Sequence, residues 1–541
     1  MVILYLRGRK VNTKVCPWGY KSEVLVKTQM VTLQDFKNKL TTEFHDSDDL
    51  FFRQITTDNV SCVLCYLDGG SDKQLLEQNV IAPILRAQSP LSSANLSSIV
   101  FYGEEIKPTP LDDCAGKIAE GDVILFFDGE SDANLLSLRK FDKRAVVEPP
   151  TSNVLKGPRE GFIEEIKTNV TLLRRRIKSP SLTVKNMQIG RFSSTPVALV
   201  YIDGIAEAKV IDEITRRLMA IDIDGVIDGA YLSSFIQGRR MSFFNQVGSS
   251  EKPDVVASKL LEGRVAIIVD GSPLVLTLPF VLFEDLQDGY DYYSNDWRSS
   301  MVRVFRILGA LLTILLPGAY VALQSHHYHL MPLKFLITLL SATNGIPFPP
   351  AIEMFFVLLL FEILNQASIR MPRLMGISLS IVGAIVLGDT AVKAGLISSP
   401  AVLVTALSAI GIFCVPDQVG TLSILRFLFL CCSSVMGLFG IVILFLILVA
   451  YLASMDSYGS PYLAPYAPRI TPDLKDGVLK SSTVNMTKRP YSIPSSNRNR
   501  MKEQRPDDSD FDNGSTPYHT KHVDEPENDV STQNDVERSK Q

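Results

Sequence analysis

Two hydrophobic patterns divide the chain. Up to about residue 300, short apolar runs alternate with charged stretches; from 307 to 453 apolar runs dominate and charges are rare. In the first region four runs share one form: "VLCYLDGG" (63–70), "VILFFDGE" (123–130), "ALVYIDGI" (198–205) and "VAIIVDGS" (265–272). Continuous apolar runs of this length predict strands covered on both faces. The Asp-Gly closing each run predicts a tight turn, with glycine at positive φ and the carboxylates of Asp68, Asp128, Asp203 and Asp270 bonding nearby backbone. Helical patterning falls between the strands, as in "EAKVIDEITRRLMAI" (207–221). The pattern reads as a soluble α/β region of two subdomains, 1–148 and 149–298, with the seam in "VVEPPTSNVLKGP" (146–158).

Residues 299–455 predict an all-α polytopic membrane bundle. Runs at 307–323, 374–392, 401–415 and 427–453 read as spans; the first is near the lower length limit and broken by Pro317, while the last has 27 residues without a charge. "PLKFLITLL" (332–340) and "IEMFFVLLLFEILNQ" (352–366) are short enough for re-entrant or interfacial segments. Four or five crossings are expected. Arg298, Arg303 and Arg306 precede the first run, whereas "QSHHYH" after it has no Lys or Arg, which places the N-terminal region in the cytoplasm. The opening "MVILYL" carries no signal-peptide pattern, in keeping with that side. A membrane-proximal segment, 456–480, leads to a polar tail, 481–541. That tail lacks hydrophobic periodicity, with six bases against one acid in 488–505 and ten acids against one base in 507–537. Disorder is expected there.

Composition changes little. A net charge of −4 gives a nucleic-acid partner no support. The basic cluster Arg174, Arg175, Arg176 and Lys178 ends a helix opened by Glu160, Glu164 and Glu165, an order that suits the helix dipole and reads as a solvated helix end. Cys62 and Cys65 form a CxxC inside an apolar strand with no second pair, so buried thiols are the better reading than zinc. "IDIDGVID" (221–228) mimics a phosphotransferase DxDG but follows an amphipathic helix instead of an apolar strand. His326, His327 and His329 read as a loop at the membrane edge. No P-loop, nucleophile elbow, HExxH or dinucleotide fingerprint occurs, so neither enzyme activity nor a cofactor is expected.

Polar groups inside the apolar region are the candidate chemistry. On one helix Glu353 and Glu362 lie about 180° and roughly 13 Å apart, which excludes a two-carboxylate catalytic site. Glu353 follows "IPFPP", where proline opens a helix and a carboxylate suits its positive end. Glu362 shares a side with Asn365 and Gln366; an ion or water pathway and an interhelical hydrogen bond both stay open. In 374–392, Gly376, Ser380 and Gly383 share a face suited to close helix packing. Ser378, Ile381, Ile385 and Asp389 share the other, suited to a pore wall gated by dewetting, with packing inside one chain as the alternative.

Several stretches, in order, carry a family resemblance: "LKGPREGFIEEIKTNVTLLRRRIKSPSL", "LLEGRVAIIVDGSP", "GIPFPPAIEMFFVLLLFEIL", "SIVGAIVLGDTAVKAGLISSP" and "YGSPYLAPYAP". Together they resemble the A subunits of spore germination nutrient receptors, the GerA family, over roughly 150–480. The resemblance implies a subunit in the inner membrane of a dormant spore, partnered by a transporter-like B subunit that binds nutrient and a lipoprotein C subunit. It further implies a homo-oligomer acting as a nutrient-gated channel for monovalent cations. Glu353 and Glu362 match positions of the family motif, and 374–392 matches the segment expected near the pore. A non-conducting scaffold assembling the receptor is the competing reading. A secondary transporter is a third, without an inverted repeat to support it.

Overall fold

The computed structural model describes residues 5–6, 9–10, 31–57, 60–87, 91–100, 106–139, 157–239, 242–370 and 390–501. One topology occurs twice in the soluble region. The first module runs α1 (Leu33–Glu43), β1 (Leu50–Thr57), β2 (Val60–Leu67), α2 (73–86), α3 (Leu96–Ile99), β3 (Lys107–Pro110), α4 (Cys114–Ala119), β4 (Val123–Phe127) and β5 (Asp132–Leu136). The second runs α5 (Ile166–Arg176), β6 (Leu182–Ile189), β7 (Thr195–Ile202), α6 (Ala208–Met219), α7 (Gly229–Ile236), β8 (Gly248–Ser250), α8 (Pro253–Leu261), β9 (Val265–Val269) and β10 (Val275–Leu278). The sheets are ordered β1-β2-β4-β5-β3 and β6-β7-β9-β10-β8, with every pairing antiparallel.

Helices cover both faces of each sheet, which is why the strands read as unbroken apolar runs. On β4, Val123, Leu125 and Phe127 face the α2 and α3 side, and Ile124 and Phe126 face α1 and α4. The same alternation puts Cys62 in one core and Cys65 in the other, so the CxxC cannot converge on a metal. Burial pushes the Cys62 thiol up to about 12. The glycines after the four aspartates all take positive φ, 74–83°. Two of these aspartates cap helices in matching ways: Asp128 Oδ1 accepts from Leu33 N and Asp270 Oδ1 from Ile166 N, each at 3.1 Å.

The modules are joined by a buried ion pair. Arg174 donates Nε to Asp49 Oδ2 and Nη2 to Asp49 Oδ1, both at 2.8 Å, and Asp48 N donates to Val184 O on the edge of β6. The solvated reading of the basic cluster therefore fails at Arg174, which is 4% exposed; Arg175 and Arg176 instead turn to Glu160.

The helical region comprises α9 (Asp296–Ser325), α10 (Leu333–Thr343), α11 (Pro350–Arg370), α12 (Ser399–Ile412) and α13 (Val419–Ala453). Among the described residues three helices are long and apolar enough to cross a membrane, Asp296–Ser325, Pro350–Ser368 and Pro416–Ala453. Pro317 does not break α9. Its ring leaves the Thr313 carbonyl without an N–H partner, and Ser408 Oγ of α12 donates to that oxygen at 2.9 Å. The 352–366 run lies within the 21-residue α11, a helix long enough to span where the apolar run alone suggested a shorter re-entrant or interfacial segment.

The 427–453 run is also not one straight span. A continuous helix over α13 would be about 52 Å long, yet both of its ends touch the second module. Thr421 Oγ1 donates to Phe243 O at 2.5 Å, and Arg239 Nη2 donates to Ser454 O at 3.0 Å. The reversal is at Gly437 (φ 62°, ψ −145°), where the helical backbone is interrupted. A Cβ on Gly440 would stand 2.5 Å from Cys432 O, so the arms 419–436 and 438–453 double back on each other. Hydropathy cannot distinguish such a hairpin from a single span.

The chain then returns across the second module. Residues 481–501, expected to be disordered, are held there. Ser496 N donates to Ile205 O at 2.9 Å, Arg489 Nε to Leu261 O at 2.6 Å, and Ile493 is fully buried against Val281 and Ala464. Backbone and arginine hydrogen bonds, not an apolar periodicity, fix this strap. Residues 502–541 lie outside the described residues.

Candidate functional site

The polar residues of the bundle converge where α11 faces the first arm of α13. Glu362 Oε2 accepts from Arg426 Nη2 at 3.0 Å and from Ser423 Oγ at 3.2 Å; Oε1 accepts from Gln366 Nε2 at 3.4 Å. The i, i+3 spacing of Ser423 and Arg426 puts both on the helix face toward Glu362. Arg426 is 0% exposed, with its guanidinium 5.7 Å from the Phe427 ring centroid and 6.0 Å from that of Phe361. The interhelical reading of Glu362 thus has a definite partner, missed in the sequence because Arg426 stands just before a charge-free run. An acidic residue at mid-helix in one apolar segment, with a lone arginine near the start of another, was the available signal.

Donors outnumber acceptors in this cluster. Arg426 Nε and Nη1 and Asn365 Nδ2 are buried without a hydrogen-bond partner. An unfilled donor on a charged group costs more than the roughly 1–3 kcal/mol of a neutral one, so the cluster is held at a standing cost inside the apolar bundle. Ser378, Ile381, Ile385 and Asp389, with Gly376, Ser380 and Gly383, lie outside the described residues. Close helix approach in the described bundle is made elsewhere: a Cβ on Gly411 would meet Gly309 O at 2.4 Å, and one on Gly318 would meet Phe429 O at 3.1 Å.

Glu353 has a structural position. It is 2% exposed in the first turn of α11 and accepts from Ser398 N at 2.5 Å. Ser398 in turn caps α12 by accepting from Ala401 N. One carboxylate thereby serves the positive ends of two helices.

A second charged cluster fastens the bundle to the soluble region. Arg303, 1% exposed, donates to Asp291 Oδ2 at 3.1 Å, Asp476 Oδ1 at 2.9 Å and Gly477 O at 2.7 Å; Arg306 reaches Asp291 Oδ2 at 2.7 Å. Lys480 Nζ donates to Asp296 Oδ1 at 2.7 Å. Two of the three arginines that precede the first apolar run are thus tied into a buried joint at the start of α9. Arg191 pairs with Asp222 of the DxDG sequence on the surface. Among the described residues no group of three or more His, Cys, Asp or Glu is placed to hold a metal.

Residues 38–492 match the sequence profile of the family described as Bacillus/Clostridium GerA spore germination protein. Spore germination protein KA of Bacillus subtilis (strain 168) is 34% identical over 480 residues, 86% of this chain and 87% of its own. Spore germination protein GerLA of Bacillus cereus is 31% identical over 456 residues, 83% of this chain and 93% of its own. The crystal structure of the N-terminal domain of the A subunit of the Bacillus megaterium spore germinant receptor GerK3 is 26% identical, covering 46% of this chain and 97% of that one with a TM-score of 0.35.

Proposed function

The chain belongs to the Bacillus/Clostridium GerA spore germination protein family, and from that premise we propose that it is the A subunit of a nutrient germinant receptor in the spore inner membrane. In this reading it works with a transporter-like B subunit and a lipoprotein C subunit. Copies of the chain assemble in the bilayer, soluble modules on the cytoplasmic side, and take part in nutrient-gated release of monovalent cations. The observation that supports conduction is the Glu362–Arg426 cluster: a carboxylate and a guanidinium with unfilled donors set in an apolar bundle, the kind of intramembrane charge that marks ion and water pathways.

Liposomes containing the assembled receptor test it. Nutrient should trigger potassium efflux, and Glu362→Gln should alter it, because Arg426 is left uncompensated at a cost of about 3–5 kcal/mol. No nutrient-triggered efflux from a correctly assembled wild-type complex would overturn conduction in favour of a non-conducting scaffold. The full engagement of the Glu362 carboxylate by three donors is what speaks for that second reading.

A further inference from the structure

The elbow between α12 and α13, residues 413–418, rests on the second module and on the segment after β10. Asn245 Nδ2 donates to Asp417 O at 3.1 Å, and Tyr462 OH, from the returning chain, donates to Asn245 O at 2.5 Å. At the centre of this contact Gln418, 4% exposed, donates Nε2 to Asp285 Oδ2 at 2.5 Å, while its own Oε1 is buried without a donor. An ionised carboxylate only accepts, so it takes the bond from Nε2 and can give the amide oxygen no donor. A protonated carboxyl offers two: its C=O accepts from Nε2, and its O–H donates to Oε1. The buried, unfilled Gln418 Oε1 is therefore the acceptor that a proton on Asp285 would satisfy.

We infer that Asp285 is a proton-binding site: its acid form pairs with Gln418 through two hydrogen bonds and latches the second module to the elbow, and its ionised form releases the latch. The surroundings favour the proton. Glu284 on the same turn and Asp417 on the elbow are both acidic. Lys259 of α8 is the cation facing the site, and it is already engaged by Glu284 at 2.9 Å; Tyr462 from the returning chain brings a neutral hydroxyl. Burial pushes the Asp285 carboxyl up to about 7; Asp417 and Glu284 add to this, against the Gln418 bond and Lys259. A carboxyl raised in the closed state stabilises that state in acid and loses this contribution as pH rises through the closed-state value. Opening of the elbow should therefore grow by about tenfold per pH unit from the ordinary carboxylate range up to about 7, then level off. The latch does not depend on whether the bundle conducts ions.

Hydrogen exchange of the elbow amides, measured on the full chain in nanodiscs from pH 5 to 8.5 and corrected for the chemical rate, reads this directly. Wild-type exchange should climb and then plateau near neutrality. Asp285→Asn, whose amide reproduces the two-bond pairing without a titratable proton, should stay flat. Infrared difference spectra on the same wild-type protein give a second readout: a protonated-carboxyl C=O band that disappears with a midpoint near 7. A flat wild-type profile, or a carboxyl band absent at pH 6, overturns the proposal, as does an Asp285→Asn profile that keeps the step.

Discussion

Replacing Gly437 with alanine tests the hairpin by the sign of its effect. In a continuous helix, glycine to alanine stabilises by up to about 1 kcal/mol. Here the backbone at φ 62°, ψ −145° is one that only glycine adopts without strain, and forcing alanine into it costs about 1–3 kcal/mol. The new Cβ would also stand 2.6 Å from His327 Cε1 and 2.9 Å from His326 Cβ, so the loop after α9 must move; overpacking of this kind costs about 1–3 kcal/mol more. Gly437→Ala should thus destabilise the chain by roughly 2–6 kcal/mol. Adding His327→Ala removes the His327 contacts but neither the His326 contact nor the strained backbone, and should recover only part of the loss. The assay is unfolding of the full chain in detergent, paired with thiol labelling of Ser454→Cys in a cysteine-light background. The hairpin places that thiol on the same side as the soluble modules. Increased stability in Gly437→Ala, together with Ser454→Cys labelled only from the opposite side, would refute the reversal.

Buried contacts give two more expected outcomes. Arg174→Met should destabilise by about 3–5 kcal/mol because Asp49 is left buried and unpaired, whereas Arg174→Met with Asp49→Leu should come close to wild type; a thermal-unfolding cycle that finds the two single effects simply additive would contradict the paired reading. Ile493→Ala should cost about 2–5 kcal/mol in the same measurement, where a disordered tail would show no change at all.

The soluble architecture was largely legible because its signal is local. Four apolar runs ending in Asp-Gly name the strands β2, β4, β7 and β9 and their turns, and a recurring pattern implies a recurring module. The edge strands β3 and β8, "KPTP" and "GSS", carry no such signal, and the sheet order was not readable from them. In the bundle, hydropathy reports how apolar a segment is but not which way it runs, so one glycine at 437 could turn a single span into two arms unseen. Glu362 stood out because a carboxylate interrupts its apolar run. Arg426 did not, since it reads as the border of one. Residues 481–501 looked disordered because their anchors are main-chain bonds, arginine side chains and one isoleucine, none of which forms a periodic pattern.

The returning hairpin has a mechanical corollary. The bundle meets the second module at the elbow and at Ser454 and the segment after β10 at the Arg303 joint, and the strap that follows the bundle lies along the second module; these attachments come from separate stretches of the chain, α9, both ends of α13 and residues 481–501. A body held at one point can pivot, but one held at four can only slide, twist or detach. Any stimulus felt by the soluble modules would then reach the lipid-embedded helices as a concerted displacement of several of them together, with no single flexible neck to absorb it.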